Sequence, residues 1–184
     1  MKVKRLIEIE EPRKFEIGDI INVPFKDGIT VEALAVKPEF DEENGETMLF
    51  IMECYPIRHN AHGISEFIRE YIEGNVEEEF KRGMVKLKNG ELFRLPTEFE
   101  ITGDNSCGES ESDAEQFTPM KDAKNRFGYL SENGREFVRS YWLENMSYYD
   151  KERRVSFDEY GESSITYPNK FSLGIRPVFK LKIS

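Results

Sequence analysis

The C-terminal segment constrains the fold most. It reads Phe171-Ser-Leu-Gly-Ile-Arg-Pro-Val-Phe-Lys-Leu-Lys-Ile-Ser184, and nearly every second side chain is apolar. This alternation is typical of a strand that lays one face on a core. Pro177 interrupts the pattern, and a proline inside a strand fits an edge position or a bulge. The segment therefore predicts a final strand over 173–183, with close backbone approach at Gly174.

An Asp27-Gly28 turn between two apolar runs predicts a β-hairpin near the N-terminus, because Asp-Gly is a strong short-range hairpin signal. The apolar run 48–55 has the length of a strand and predicts a central position in a sheet. The acid-rich segment 39–46 before it predicts a solvated turn. We therefore expect residues 1–56 to form an antiparallel meander that packs on the rest of a single domain.

Apolar residues at i, i+3, i+4, i+7 and i+8 predict a helix after Gly63 with one buried face. They are Ile64, Phe67, Ile68, Tyr71 and Ile72. Farther along, Asn89-Gly90 predicts a second hairpin. The spacing of Thr97 and Glu100 predicts a capping box at the start of a short helical turn.

Further strands are predicted over 137–143 and 155–160, and a weak alternation over 4–9 predicts an edge strand. Between these strands, 103–116 is rich in Ser, Gly and acids, which predicts a long mobile loop. Together these elements predict an α+β fold, a mainly antiparallel twisted sheet with one or two helices.

Charge and cysteine content limit the partners and the location. A net charge of −10 makes nucleic acid and anionic membranes poor partners. Acids interrupt the N-terminal apolar residues, and no apolar run approaches membrane-spanning length. Cys54 and Cys107 lie far apart, which is typical of reduced thiols. We expect a cytoplasmic or phage-associated protein.

Three short motifs carry a resemblance. They are Leu95-Pro-Thr-Glu-Phe-Glu-Ile-Thr-Gly103, Tyr141-Trp-Leu143 and Gly174-Ile-Arg-Pro-Val-Phe179. In this order they resemble an uncharacterised family of bacterial and prophage proteins. The C-terminal half of that family is similar to the C-type-lectin-like fold of the formylglycine-generating-enzyme type. The resemblance implies a twisted sheet whose long loops carry variable chemistry, and it implies no particular activity.

The chemistry of that fold class is not carried over to this chain. Its enzymes use paired cysteines in the C-terminal half, and no cysteine follows Cys107. Its lectins hold calcium with a Glu-Pro-Asn loop followed by a Trp-Asn-Asp strand. Here Tyr167-Pro-Asn169 comes after Trp142-Leu-Glu-Asn145, so the order is reversed and the first carboxylate is missing. No cofactor is predicted.

Tyrosines in the loops between Trp142 and Gly174 are the candidates for ligand binding. Adjacent tyrosines in an extended polar segment cannot both face one core, and exposed tyrosines give large contact area at low entropic cost. An alternative is that the adjacent pair packs along a β-bulge. The candidate residues are Tyr148, Tyr149, Arg153, Tyr160 and Tyr167. They predict a non-catalytic module that recognises a carbohydrate or a protein surface.

Two alternatives remain open. Cys54, His59 and His62 form a C-x4-H-x2-H pattern, which is a weak zinc candidate because a structural site wants four ligands. The same two histidines are the only ones in the chain, so an imidazole acid–base enzyme would have to use them. The second alternative is a subunit of a larger assembly, which exposed apolar strand edges would indicate.

Overall fold

The computed structural model describes residues 14–108, 115–132 and 135–183, so the strand predicted over 4–9 lies outside the described residues. The strands are β1 Ile20–Pro24, β2 Thr30–Asp41, β3 Gly45–Met52, β4 Met84–Val85, β5 Phe93–Arg94, β6 Gly128–Glu132, β7 Arg135–Arg139, β8 Tyr141–Met146, β9 Arg154–Phe157, β10 Ser163–Thr166 and β11 Val178–Lys182. The α-helices are α1 Ile64–Phe67, α2 Glu78–Lys81 and α3 Glu98–Thr102.

The main sheet has the order β1-β2-β3-β11-β4, with β5 also paired to β11. The predicted N-terminal hairpin is confirmed, since β1 and β2 pair antiparallel around a turn in which Gly28 has φ 81°. The central position predicted for the 48–55 run is also confirmed, because β3 lies between β2 and β11. The N-terminal meander and the C-terminal strand therefore share one sheet.

The C-terminal strand is shorter than predicted and lies in the interior of the sheet. It begins at Val178, directly after Pro177, whose carbonyl accepts a hydrogen bond from the Met52 N–H at 2.9 Å. The hairpin predicted around Asn89-Gly90 is wrong, because β4 and β5 both pair with β11 and not with each other. The turn itself forms, but β11 supplies the hydrogen-bond partners for both flanking strands.

The turn predicted over 39–46 is also smaller than expected, because β2 reaches Asp41 and β3 begins at Gly45. Two of its acids are paired: the ammonium of buried Lys180 lies 3.5 Å from a carboxylate oxygen of Glu39 and of Asp41. Neutralisation by a buried lysine allows an acidic segment to continue as strand.

The predicted helix is confirmed from Ile64 onward, but its period changes. After α1 the chain forms a π-helical turn over Ile68–Ile72 and a 3₁₀ turn over Glu73–Asn75. Tyr71, predicted to be buried, is 56% exposed. A π-helical turn holds more residues than an α-helical one, so a residue at i+7 no longer returns to the buried face.

The capping box of α3 is confirmed. The Thr97 hydroxyl accepts from the Glu100 N–H at 3.2 Å, and the Glu100 carboxylate accepts from the Thr97 N–H at 2.9 Å.

The strand predicted over 137–143 is divided at Ser140, because β7 pairs with β6 whereas β8 belongs to the sheet β10-β9-β8. The strand predicted over 155–160 ends at Phe157.

Alternate residues of β3 belong to two different hydrophobic clusters. Successive side chains of a strand point to opposite faces, so the two clusters lie on opposite faces of the main sheet. Phe50 belongs to the cluster that includes the buried residues of the 64–75 helix, whereas Ile51 belongs to the cluster that includes Leu143 and Val155. The antiparallel α+β class is thus confirmed, since every pairing between the strands described is antiparallel. Within the described ranges, no helix is long and apolar enough to span a bilayer.

Candidate functional site

The turn over residues 147–153, called here the Tyr148 turn, connects β8 and β9. Its ends are joined by the Ser147 N–H, which donates to the Arg153 carbonyl at 2.9 Å. The Tyr149 N–H donates to the Ser147 hydroxyl at 3.1 Å. Tyr148 is 47% exposed and Tyr149 is 80% exposed. Neither ring fills a core position, and both present aromatic area to solvent.

A second turn, over 167–170, brings two cations to the ring of Tyr167. The Arg153 guanidinium carbon lies 4.1 Å from the ring centroid, and the Lys170 ammonium lies 4.6 Å from it. Arg153 also donates a hydrogen bond to the Tyr167 hydroxyl, and its Nε lies 3.0 Å from the Asp150 carboxylate. We call Arg153, Tyr167 and Lys170 the Tyr167 cluster. The contacts within this cluster connect the Tyr148 turn to the 167–170 turn.

Sequence reasoning missed Lys170. The Lys170 N–H donates to the Tyr167 carbonyl at 3.3 Å, so the segment Tyr167-Pro-Asn-Lys170 is a β-turn. Proline at the second position of such a turn is favoured, and the turn brings its first and fourth residues together. This Pro-Asn signal could have placed the lysine beside the tyrosine.

Tyr160 lies elsewhere. It is 83% exposed in the turn between β9 and β10, where the Asp158 carboxylate accepts from the N–H groups of Tyr160 and Glu162. In the antiparallel β9–β10 pair, Ser163 opposes Phe157 and Thr166 opposes Arg154. Tyr160 therefore lies at the opposite end of these strands from the Tyr167 cluster, about 13 Å away along the strand direction. Tyr160 and the Tyr148 turn are therefore separated within one molecule.

A buried carboxylate supports the Tyr148 turn from behind. Glu98 is fully buried, and its side chain accepts from the Ser106 hydroxyl at 2.8 Å and the Gly108 N–H at 2.8 Å. The Cys107 N–H donates to the same carboxylate at 3.2 Å. These donors satisfy a charge that would otherwise be costly to bury.

This network fixes residues that the sequence predicts to be mobile. Gly108 forms an antiparallel bridge with Ser147, and the Tyr148 N–H donates to the Cys107 carbonyl at 2.9 Å. Only glycine fits at position 108, because a Cβ there would lie 2.7 Å from the Asn145 Cβ. The loop predicted over 103–116 is thus anchored as far as Gly108, and residues 109–114 lie outside the described residues.

Sequence reasoning also missed Glu98. An acid in the first turn of a helix is common on solvated surfaces, since it complements the helix dipole. No sequence signal separates such an acid from a buried one. The sequence contains only an indirect sign of the buried carboxylate. In Ser106-Cys-Gly108, the serine hydroxyl and the glycine N–H are the groups that donate to Glu98.

The weak zinc candidates are not assembled into a ligand set. Cys54 is buried, and burial raises the pKa of its thiol to about 12, which keeps it protonated. The His59 ring stacks on Phe67 with centroids 4.4 Å apart, while His62 is exposed. Among the residues for which the structure gives positions, no group of three or more His, Cys, Asp and Glu could hold a metal ion.

Of the two asparagines compared with the lectin calcium motif, Asn145 is buried and Asn169 is exposed. The Asn145 amide oxygen accepts from the Glu98 N–H at 2.6 Å, and Asn145 is buried. Asn169 is exposed in the 167–170 turn. Asn145 therefore helps to position α3.

The segment that carries the histidines supports the 167–170 turn. The Ala61 N–H donates to the Pro168 carbonyl at 2.8 Å, and His59 and Leu173 exchange two backbone hydrogen bonds of 3.0 Å. The indole N–H of buried Trp142 donates to the His59 carbonyl at 2.8 Å. The Tyr167 cluster therefore has a rigid base.

The two turns are locally basic on an acidic protein. The Tyr148 turn and the 167–170 turn together contain three basic side chains against two acidic ones, although the net charge of the chain is −10.

Comparisons with protein-family models, curated proteins and solved structures each gave no match. The resemblance to the bacterial and prophage family stays a prediction.

Proposed function

We propose that this protein is a non-catalytic recognition module whose Tyr148 turn and Tyr167 cluster bind a carbohydrate or a protein surface. The observation that carries the proposal is the exposure of two adjacent tyrosines on a turn that a buried network holds from behind. Tyr148 and Tyr149 are 47% and 80% exposed, and Glu98 organises the backbone that pairs with their turn.

Exposed tyrosines on a hydrogen-bonded turn suit binding because a tyrosine side chain loses little conformational entropy when a ligand covers it. Their rings can stack on the apolar face of a sugar, and their hydroxyl groups can hydrogen-bond to it. Lys170 adds an exposed cation next to the half-buried ring of Tyr167. Exposed aromatic rings near cationic donors favour a ligand that has both an apolar face and polar or anionic groups.

No observation favours an enzyme that uses His59 and His62. The Nδ1 atom of His59 lies 2.6 Å from the Asn60 carbonyl oxygen, and one face of its ring is covered by Phe67. The alternative role, as a subunit of a larger assembly, depends on the open edge of β10. The bacterial or prophage origin rests on the sequence resemblance alone.

Binding of labelled protein to a glycan array tests the proposal, with calcium in one arm and a chelator in the other. The Tyr148→Ala, Tyr149→Ala double variant is compared with Phe40→Ala. Phe40 is a matched control, since it is a 77% exposed aromatic residue on β2 in the main sheet.

We expect selective binding that the double variant loses and Phe40→Ala keeps, in both calcium conditions. Absence of glycan binding would contradict the carbohydrate form of the proposal, and capture of a protein ligand that depends on the same two tyrosines would then test the other form. Binding that both variants retain equally would contradict the assigned site.

A further inference from the structure

The strand β10 is an edge of the three-stranded sheet β10-β9-β8. Its sequence, Ser163-Ser-Ile-Thr166, contains no charge and no proline. Charged residues and prolines are the devices that natural proteins use to prevent pairing at open edges. The edge strand β1 of the main sheet, by contrast, ends in Pro24. β10 is therefore the less protected edge of the two.

The register determines which backbone groups of β10 point outward. The Asp158 N–H donates to the Glu162 carbonyl at 2.9 Å, which marks that pair as hydrogen-bonded. Hydrogen-bonded and non-hydrogen-bonded pairs alternate in an antiparallel ladder. Ser164 and Thr166 therefore bond to β9, whereas the N–H and C=O groups of Ser163 and Ile165 face the open edge. In the described part of the chain no backbone group bonds to them.

The two ends of β10 carry opposite charges. At the Ser163 end, the turn holds the exposed acids Glu159 and Glu162. At the Thr166 end lies exposed Lys170, next to Arg153, which is paired with Asp150. Such a bipolar edge is complementary to itself when it is reversed.

We propose that a second copy of this chain pairs with the first through β10, antiparallel and around a two-fold axis. A two-fold interface uses the same patch on both copies, so each interaction occurs twice. Antiparallel pairing sets the acidic turn of each copy against the Tyr167 cluster of the other. Ser163 and Ile165 of one copy then exchange hydrogen bonds with Ile165 and Ser163 of the other. A parallel arrangement would place like charges together, which electrostatics disfavours.

The pairing has a consequence for the predicted ligand-binding residues. Tyr160 of each copy would come to the end of the dimer sheet where the other copy holds its Tyr167 cluster. Residues that lie at opposite ends of one molecule would then share one surface. The dimer itself depends on the β10 edge alone, so it is tested independently of any ligand.

Sedimentation velocity over a concentration series tests the proposal with three kinds of variant. Ile165→Pro removes an N–H group that faces the open edge. Because this group does not bond to β9, the hydrogen bonds between β9 and β10 stay intact. Lys170→Glu and Glu159→Lys each reverse one end of the bipolar edge, and the combined variant restores opposite charges across the interface. Glu66→Lys, at an exposed position on α1, controls for net charge. Circular dichroism confirms that each variant is folded.

We expect a wild-type dimer whose dissociation constant rises about tenfold or more in Ile165→Pro and in each single charge reversal. The combined reversal should recover most of the lost affinity, and Glu66→Lys should leave it unchanged. A wild-type protein that stays monomeric at every concentration would overturn the proposal. A dimer indifferent to Ile165→Pro and to both reversals would overturn it as well.

Discussion

Arg153 lies over the ring of Tyr167 and also donates a hydrogen bond to its hydroxyl group. The two residues flank β9 and β10, so this contact closes the end of that strand pair. Because Arg153 also pairs with Asp150, the Tyr148 turn is fixed to the 167–170 turn. The exposed tyrosines thus belong to a braced structure.

Replacing Tyr167 should loosen the Tyr148 turn. Tyr167→Ala removes both the ring and the hydroxyl, whereas Tyr167→Phe keeps the ring and loses only the hydrogen bond. We expect trypsin to cleave after exposed Lys151 several-fold faster in Tyr167→Ala, with Tyr167→Phe in between, because cleavage follows local opening. Cleavage after other lysines is the internal reference. Equal rates in all three proteins would contradict the bracing role.

Glu98→Gln should destabilise the fold. An amide cannot accept from all the donors that surround the carboxylate, and its NH₂ group faces an N–H group. We expect a loss of about 2 kcal/mol in the free energy of unfolding, measured by urea denaturation. Glu66→Gln, at an exposed position, should change it by less than about 0.5 kcal/mol. A loss at Glu98 no larger than at Glu66 would show that the buried carboxylate is dispensable.

Arg176→Met should be the more damaging change. The guanidinium is 1% exposed and donates to the carbonyls of Met52, Asn125 and Arg126 at 3.0–3.1 Å. Methionine would leave those carbonyls unsatisfied, at a cost of about 3–5 kcal/mol in the free energy of unfolding. Arg82→Met, at an exposed position, is the control for loss of charge. Similar midpoints in urea for the two variants would contradict this account.

Stability should fall in alkali. Burial raises the pKa of the Cys54 thiol from 9.0 to about 12, so the unfolded chain loses this proton first as the pH rises. Folding stability from this group is complete below pH 9 and is lost between pH 9 and 12, by at most about 1.4 kcal/mol per pH unit. Burial also raises the pKa of Tyr141, which acts in the same direction.

Urea denaturation at several alkaline pH values measures this slope. Cys54→Ala should have a shallower dependence than wild type, and Cys107→Ala, which alters a less buried thiol, should differ less from wild type. A Cys54→Ala slope equal to that of wild type would contradict the role of this thiol.

Local sequence signals predicted local structure well. The Asp27-Gly28 turn and the Thr97 capping box each depend on residues within a few positions, and both form. The helix from Ile64 was predicted from its period, and only Tyr71 departs from the predicted face, at the π-helical turn.

Long-range pairing was not predictable in the same way. Nothing near Asn89-Gly90 indicates that β4 and β5 pair with β11, almost ninety residues away, rather than with each other. The burial of Glu98 depends on donors at 106–108 that a helix-start pattern does not reveal. The adjacent tyrosines were enough to select the Tyr148 turn as a candidate binding site. The separation of Tyr160 from that turn depends on the strand register, which the sequence does not reveal.

The role of Tyr148 and Tyr149 in binding is tested by the affinity of the Tyr148→Ala, Tyr149→Ala variant for a ligand. The ligand is a glycan or protein first identified with wild-type protein. Isothermal titration calorimetry would measure Kd for wild type, for this variant and for Phe40→Ala. We expect Kd to be at least about tenfold higher in the double variant and unchanged in Phe40→Ala. A double variant that binds as tightly as wild type would contradict it.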